Sequence, residues 1–469
     1  MNDIDSQFCR VGGAGNHQTL WIPSVFLLLC SLLVGAANAA WPLDPTLGLP
    51  VCTAADDQEY PQIIPDGAGG AIICWTDRRL GYPRLAACAQ RVNASGTALW
   101  TSNGVSLYVT GKEQAWPMAV SDGSGGAIVF YVQSPGEDEF PDLYAQHIDA
   151  SGTLRWNPDG VLVSGGPYGQ FHDAVIADGA GGAIVAWADG RNDSFQVFVQ
   201  RLSANGECLW APNGEELTSN TGGIANFIQM VPDGAGGAIL AWADSRNYFG
   251  DIYAQRINAQ GRAQWATNGI AVSPYPWGQS SPWMVADGVG GAIVCWQDNR
   301  NDEADLYAQR IGADGTLQWG AEGVPVCTMP HMQSDARMVS DGSGGALIAW
   351  EDFRNTEETS GDLFCQRLSD AGLALWASNG IPVSTATGWQ FGPAMTSDGA
   401  GGAIISWGDQ RNWENDVFAQ RIDAAGLPRW APEGIPVSTA PGYEGYPAIA
   451  TDDAGGAIVV WPDRRNSNN

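Results

Sequence analysis

The sequence predicts an all-β protein, an eight-bladed β-propeller of four-stranded repeats about 54 residues long, and three observations lead there. The string Asp-Gly-x-Gly-Gly-Ala-Ile/Leu, or a close variant, starts at Asp66, Asp122, Asp178, Asp233, Asp287, Asp341, Asp398 and Asp452, at steps of 56, 56, 55, 54, 54, 57 and 54 residues. A fixed period of this size marks units too short to bury a core alone, which must pack on their neighbours. Each unit contains strand-length segments between turn signals and no helical period. Tryptophan recurs at two fixed places per unit, where large aromatics would dominate packing between blades.

The fifth repeat shows the elements in order. Ser281–Asp287 alternates and forms a first strand. Asp287-Gly-Val-Gly-Gly291 turns the chain, because glycine accepts positive φ and aspartate bonds its own backbone. Ala292–Trp296 is a continuous apolar second strand, followed by the polar loop Gln297–Asn301. Leu306–Ile311 alternates as a third strand, and Ala313-Asp-Gly315 turns again. Thr316–Trp319 opens a fourth strand that bends at Gly323 and continues through Val324–Val326. Four strands in a meander, repeated radially, make a propeller, for which ~4–8 blades are usual. An all-β solenoid is the alternative.

Tryptophans 41, 100, 156, 210, 265, 319, 376 and 430 hold the fourth-strand place, and 75, 187, 242, 296, 350, 407 and 461 end second strands; Phe130-Tyr131 stands in for the latter in the second repeat. The third strand reads aromatic-Ala-Gln-Arg, as in Tyr253–Arg256 and Tyr307–Arg310, but occurs only seven times. The chain stops at Asn469, where an eighth copy would begin, while Trp41 opens on a fourth strand. The last blade is therefore expected to be incomplete, through a three-stranded blade or a truncated reading frame; seven full blades plus a remnant is the related alternative.

Asp233–Asn247 and Asp251–Arg256 resemble the repeats of a group of secreted bacterial β-propeller proteins, Asp-Gly-Ala-Gly-Gly-Ala-Ile-Val-x-Trp-x-Asp-x-Arg-Asn followed by Asp-Ile-Tyr-Ala-Gln-Arg. The resemblance runs from Trp41 to Asn466. It implies the architecture and no particular activity.

The N-terminus reads as an export leader. Trp21–Ala37 is mostly apolar and leads into Ala37-Asn38-Ala39, a small-x-small site with cleavage expected after Ala39. Residues 1–39 are thus assigned to the leader and 40–469 to one propeller domain, secreted, periplasmic or at a bacterial cell surface. A retained anchor is the alternative, although the apolar run is short for a ~20-residue span. No other stretch reads as membrane-spanning.

Removing the leader takes out two acids and one arginine, leaving 49 acidic and 21 basic residues, a net charge of −28. Nucleic acid and anionic membranes are poor partners for such a chain, because both need positive charge. Seven cysteines remain, with no Cys-x-x-Cys, so zinc has no support. Most read as small buried hydrophobes, with a Cys52–Cys74 disulfide as the alternative.

In a meander the Asp-Gly-x-Gly-Gly and Asp-x-x-Gly turns share one face, and the more variable loops share the other, where binding usually lives. Those loops carry off-pattern aromatics. The candidate ligand-binding residues are Tyr60, Trp116, Phe171, Trp277, Trp283, Trp389, Trp413 and Tyr443. Such rings stack on sugars or hold a peptide; alternatively they close the blade tops as hydrophobic lids. The expected partner is an extracellular polysaccharide or surface protein, and the expected state a monomer. Recurring pairs such as Asp298/Arg300 are expected to be structural. Asp302, Glu303, Asp305, Asp362 and Asp416 are a weak set of metal candidates, since clustered carboxylates suit Ca²⁺, but none has calcium-loop spacing. No cofactor is otherwise implied. No residue is assigned as catalytic: the standard nucleophile, zinc-protease and phosphate-loop motifs are missing. A carbohydrate-active enzyme using His172 and loop acids, and a purely structural spacer, are the rival readings.

Overall fold

The structure is a computed structural model. It describes residues 5–11, 41, 44–81, 84–107, 112–134, 140–192, 194–219, 222–247, 249–275, 277–301 and 303–463, and for 5–11, 357 and 358 the backbone alone. The expected leader segment from Trp21 to Ala39 lies outside the described residues. Thirty-two strands form eight four-stranded antiparallel sheets. One helical turn, Thr356–Thr359, is the only helix among the described residues.

Seven sheets each take four consecutive strands. In blade 5 these are Gln279–Ala286, Ala292–Asp298, Asp305–Ile311 and Val324–Cys327. The first strand of each blade touches that of the next, and Ala448–Thr451 of the last blade touches Gln58–Pro65 of the first, so the ring closes. First strands therefore surround the axis. Second strands such as Ala238–Asp244 are buried along their whole length, because both faces pack against neighbouring blades. This is why they read as unbroken apolar runs rather than alternating ones.

The eighth sheet joins the two ends of the chain. Ala448–Thr451 and Ala457–Asp463 are followed by Asp5–Val11 and then Leu49–Pro50. The place expected to be empty thus holds residues from the N-terminal segment. On the far side of the same closure, Trp41 Nε1 donates to Ala94 O of blade 1 at 2.7 Å.

One expected strand is not formed. Thr316–Trp319 makes only an isolated bridge, Ile311 to Leu317, and the fourth strand starts at Val324. The cause is the buried Gln309 of the third strand. Its Oε1 accepts from Trp319 N at 2.8 Å and its Nε2 donates to Gly320 O at 2.5 Å, which holds the tryptophan in a turn. The same bonds recur from Gln90, Gln146, Gln200, Gln255, Gln366 and Gln420. Tight turns follow, and Gly104 shows why they need glycine. Its φ is +82°, and a Cβ there would lie 2.5 Å from the Trp75 ring.

Second-strand tryptophans pack across blade boundaries as expected. Trp242 sits in one cluster with Ile184 and Val197 of the preceding blade, and Trp350 with Ile293 and Leu306. All seven described cysteines outside the N-terminal strand are free thiols, and all but Cys208 are buried. Cys52 Sγ lies 3.3 Å from Arg79 Nη2, whereas Cys74 Sγ faces Pro117 O at 3.6 Å, so the two do not pair.

Gln309→Ala should leave the buried Trp319 N without its partner and release the exposed Gly320 O to water, at a cost of about 1–3 kcal/mol. Gln264→Ala, at an exposed position, should cost almost nothing. Thermal and denaturant unfolding of both variants checks this.

Candidate functional site

Two charge networks fix the blades before any site is considered. On one face, the turn aspartate accepts from two turn amides and from the third-strand arginine, as Asp233 does from Ala235 N, Gly237 N and Arg256. His147, which replaces that arginine in blade 2, bonds Asp122 at 2.9 Å in the same way and is structural. On the other face, the Trp-x-Asp-x-Arg motif makes a compact unit. Asp352 Oδ2 accepts from Trp350 Nε1 at 2.8 Å and from Arg354 Nη2 at 2.6 Å, and the Arg354 guanidinium lies 3.8 Å over the Phe364 ring. Asp77, Asp189, Asp244, Asp298 and Asp409 are held in the same way. The recurring Asp/Arg pairs are scaffold.

The variable loops meet on this second face. Arg78 N donates to Asp57 O and Gln410 N to Trp389 O, tying the loop after each second strand to the loop entering the first. Just inside that rim, first strands carry a β-bulge opposite the second-strand aromatic, with register shifts such as Glu59/Gln62, Ala115/Met118 and Asn226/Gln229. Bulges re-aim side chains and cluster near functional sites. Six positions before the turn aspartate stand Tyr60, Trp116, His172, Phe227, Ser281, Asp335, Gly392 and Tyr446; in six repeats this residue lies in the bulge, whereas His172 pairs with Trp187 just before its shift and Tyr446 precedes the last blade's first strand, Ala448–Thr451. All but His172 have φ between +48° and +58°. For an L-residue with a large ring this conformation costs about 1–2 kcal/mol. Four of these strained residues are aromatic and exposed: Tyr60 (60%), Trp116 (47%), Phe227 (54%) and Tyr446 (58%).

The bulges surround a cavity of about 500 Å³ on the axis. Every blade contributes to its wall, through Gln62, Met118, Asp173, Gln229, Trp283, Arg337, Pro393 and Tyr446 among others. Arg337 lies 4.4 Å over the Trp283 ring and pairs with Asp335 at 2.5 Å. Burial pushes the Asp173 carboxyl up to about 6, with the amide of Ile228 partly opposing the shift. Glu351 sits behind the wall, where its Oε1 accepts from Gly392 N at 2.8 Å. Burial, then the nearby Asp335 charge, push its carboxyl up to about 7. Thr76 makes the equivalent bond to Trp116 N in blade 1 at 3.0 Å.

The candidate aromatics fall into three groups. Trp283 lines the axial cavity, while Tyr60 and Trp116 stand exposed at their positive-φ positions next to the Pro61- and Met118-bearing segments of its wall. Phe171 and Trp389 are largely covered: Phe171 packs between Trp116 (6.1 Å) and Phe195 (6.2 Å), and Trp389 on Phe391 (5.2 Å), so both act as lids. Trp277 meets Phe249 with tilted rings at 6.1 Å, Tyr443 lies half-buried at the entry to the last blade, and Trp413 is 98% exposed, all away from the cavity wall. His172 is buried and off the wall, and burial lowers its imidazole to about 4, so it stays neutral apart from Asp173.

The metal candidates are not brought together. Asp302 lies outside the described residues. Asp305, Asp362 and Asp416 are buried in three different blades, each accepting from an asparagine of its own loop: Asn301 (2.6 Å), Asn355 (2.9 Å) and Asn412 (2.9 Å). Glu303 is exposed and accepts from His331 N. Among the described residues no three ligating groups form a metal-sized cluster.

Sequence reading missed Arg337, Asp335, Glu351, Gln62 and Gln229, which break no motif. It also missed an apolar hollow of about 270 Å³ between Phe140, Tyr168, Phe171, Phe195 and Ile224. A signal for the rim existed: the bulge position keeps a constant distance from the turn aspartate.

No family model and no curated protein matches the chain. Solved structures do. A protein of unknown function from Dyadobacter fermentans is 10% identical, covering 87% of this chain and 95% of its own, with a TM-score of 0.42. The Dos1 propeller is 10% identical over 87% and 93%, with a TM-score of 0.46. The polysaccharide lyase Uly1 is 10% identical over 76% and 93%, with a TM-score of 0.43. The chain is similar to these and takes no activity from them; the propeller assignment rests on its own closed ring of sheets.

The raised Glu351 carboxyl has a consequence for stability. The folded state keeps a proton that the unfolded chain loses from about pH 4.5, so this group costs stability as pH rises from there to about 7. Glu351→Gln should therefore gain on the parent chain across that window and hold a constant advantage above it. Melting temperatures of both proteins from pH 4 to 9 check this; an advantage independent of pH would contradict it.

Proposed function

We propose that the protein is an exported binding propeller that recognises a carbohydrate or another extracellular polymer at its axial aromatic rim. One observation supports this reading: Tyr60, Trp116, Phe227 and Tyr446 are held exposed at positive φ at equivalent places in their repeats, Tyr446 on the wall of the axial cavity and the other three next to chain segments that line it. Rings buried as lids would repay backbone strain through packing, but these four leave about half of their surface in water. Flat, half-exposed rings beside amide groups such as Gln62 and Gln229 suit sugar faces and hydroxyls. The acidic surface disfavours polyanions. Among the described residues no helix is long and apolar enough to cross a membrane; action outside the cell as a monomer is part of the proposal.

A second reading is a polysaccharide-cleaving enzyme, favoured by Asp173, a cavity-wall carboxyl whose raised pKa suits a general acid. Under that reading Asp173→Asn retains polymer binding and abolishes cleavage.

Substitution of the rim by glycine separates binding from stability. Tyr60→Gly, Trp116→Gly, Phe227→Gly and Tyr446→Gly each relieve about 1 kcal/mol of left-handed strain. Each should keep or slightly raise the melting temperature and weaken polymer binding at least ten-fold. A thermal-shift panel of neutral and acidic polysaccharides, followed by titration of any stabilising polymer, checks this. Loss of stability on removing the rings, or no stabilising polymer in the panel, would favour a structural spacer.

A further inference from the structure

The wall of the axial cavity carries one acid at a place that is otherwise apolar. Five positions before the turn aspartate the repeats have Pro61, Pro117, Ile228, Pro282, Ala336, Pro393 and Pro447, whereas blade 3 has Asp173. Its first strand, Gln170–Ala177, shows how an acid fits there. His172 pairs with Trp187 and Ala174 with Ala186, so Asp173 is the residue left over in the bulge. A bulge re-aims its side chain, and here Asp173 lines the cavity. The seven apolar counterparts show that the fold does not need a carboxyl at this position.

The charges of the wall do not balance. Among the described residues the other charged lining group is Arg337, three blades further round the ring. Arg337 is already neutralised: Asp335 meets it at 2.5 Å, its Nη1 donates to Ala336 O at 3.0 Å, and its guanidinium covers the Trp283 ring. Asp173 has no such counterpart. Its carboxyl meets the Ile228 amide and, among the described residues, no basic side chain. Burial lifts it to about 6, so at neutral pH it is largely ionised and uncompensated. A half-buried charge of this kind is stabilised by an opposite charge brought beside it. Tyr446, exposed on the same wall, offers a ring face that also attracts cations. The whole chain adds to this field, with 51 acids against 22 bases.

We propose that the polymer taken at this cavity is an amino-sugar polymer with free amines, one protonated amine pairing with Asp173 while neighbouring sugar rings lie on the exposed aromatics. This names the sugar class of the binding reading given above and rests on that reading. A basic peptide carries its cations on long flexible stems. The wall instead offers one uncompensated acid among flat rings and amides, the complement of a sugar ring bearing one amine.

The test titrates the full chain with three probes of equal length: a glucosamine hexamer, its fully N-acetylated form and hexalysine. A pH of about 6.5 keeps Asp173 and many of the sugar amines charged. The glucosamine hexamer should bind at least ten-fold more tightly than the acetylated one, by a margin that shrinks as added salt screens the pair. In Asp173→Asn and Asp173→Ala the ratio of the two affinities should fall to about one, and in Asp173→Glu it should survive. Melting temperatures check that each variant is folded. A preference that survives in both Asp173→Asn and Asp173→Ala would overturn the proposal, and so would hexalysine binding as tightly as the glucosamine hexamer. Equal binding of the two sugars by the parent chain would overturn it and leave the carbohydrate reading standing. Binding of neither sugar would overturn both.

Discussion

Five of the blades are fastened to the next by two donors aimed at one carbonyl, and the ring depends on this contact. The third-strand arginine and the fourth-strand tryptophan of one blade both reach the same backbone oxygen in the following turn: Arg256 (2.9 Å) and Trp265 (3.2 Å) meet at Ala313 O, and Arg310 (3.0 Å) and Trp319 (3.0 Å) at Asp370 O. The arginine is oriented by its own turn aspartate and the tryptophan by the buried glutamine. Asp, Gln, Arg and Trp are therefore one device spread over a repeat. It fixes the rotation between blades, and so the number of blades that close. The link from Trp41 to Ala94 O repeats the tryptophan half of this device.

Because that device sits on the turn face, the opposite face is free to vary. Its own fixed part, the Trp-x-Asp-x-Arg unit, ends each second strand and leaves the bulge residue of the first strand to choose its side chain. Aromatic, polar and glycine residues all occur there without disturbing the sheets. A rigid ring carrying interchangeable residues at one radius, around a cavity with a single lining arginine and a buried acid, is a surface suited to recognition. Burial raises the carboxyls of Asp173 and Glu351, with the Asp335 charge adding to the shift of Glu351.

Much of the fold was legible because the scaffold residues recur. The turn aspartates, the tryptophans and the Ala-Gln-Arg strands gave period, strand order and faces. Thr316–Trp319 was misread because alternation suggests a strand while the force that bends it, a glutamine ten residues before the tryptophan, acts through space. The site was less legible. A tally of off-pattern aromatics cannot tell Trp116, lifted by a bulge, from Phe171, pressed between two rings. Arg337 and Glu351 were invisible because arginine and glutamate there look like ordinary surface residues; only the curvature of the ring turns them toward the axis or behind it. Asp5–Val11 was missed because these residues were assigned to an expected leader, while their match to the third-strand pattern is degenerate.

The central claim is that the strained rim is a polymer-binding surface. Hydrogen–deuterium exchange of the intact protein with and without a stabilising polysaccharide tests it most directly. The account predicts slowed exchange in the first-strand segments around residues 58–62, 114–118, 225–229 and 444–448, and none in the Asp-Gly-x-Gly-Gly turns. Protection confined to the turn face, or spread evenly over all blades, would contradict it.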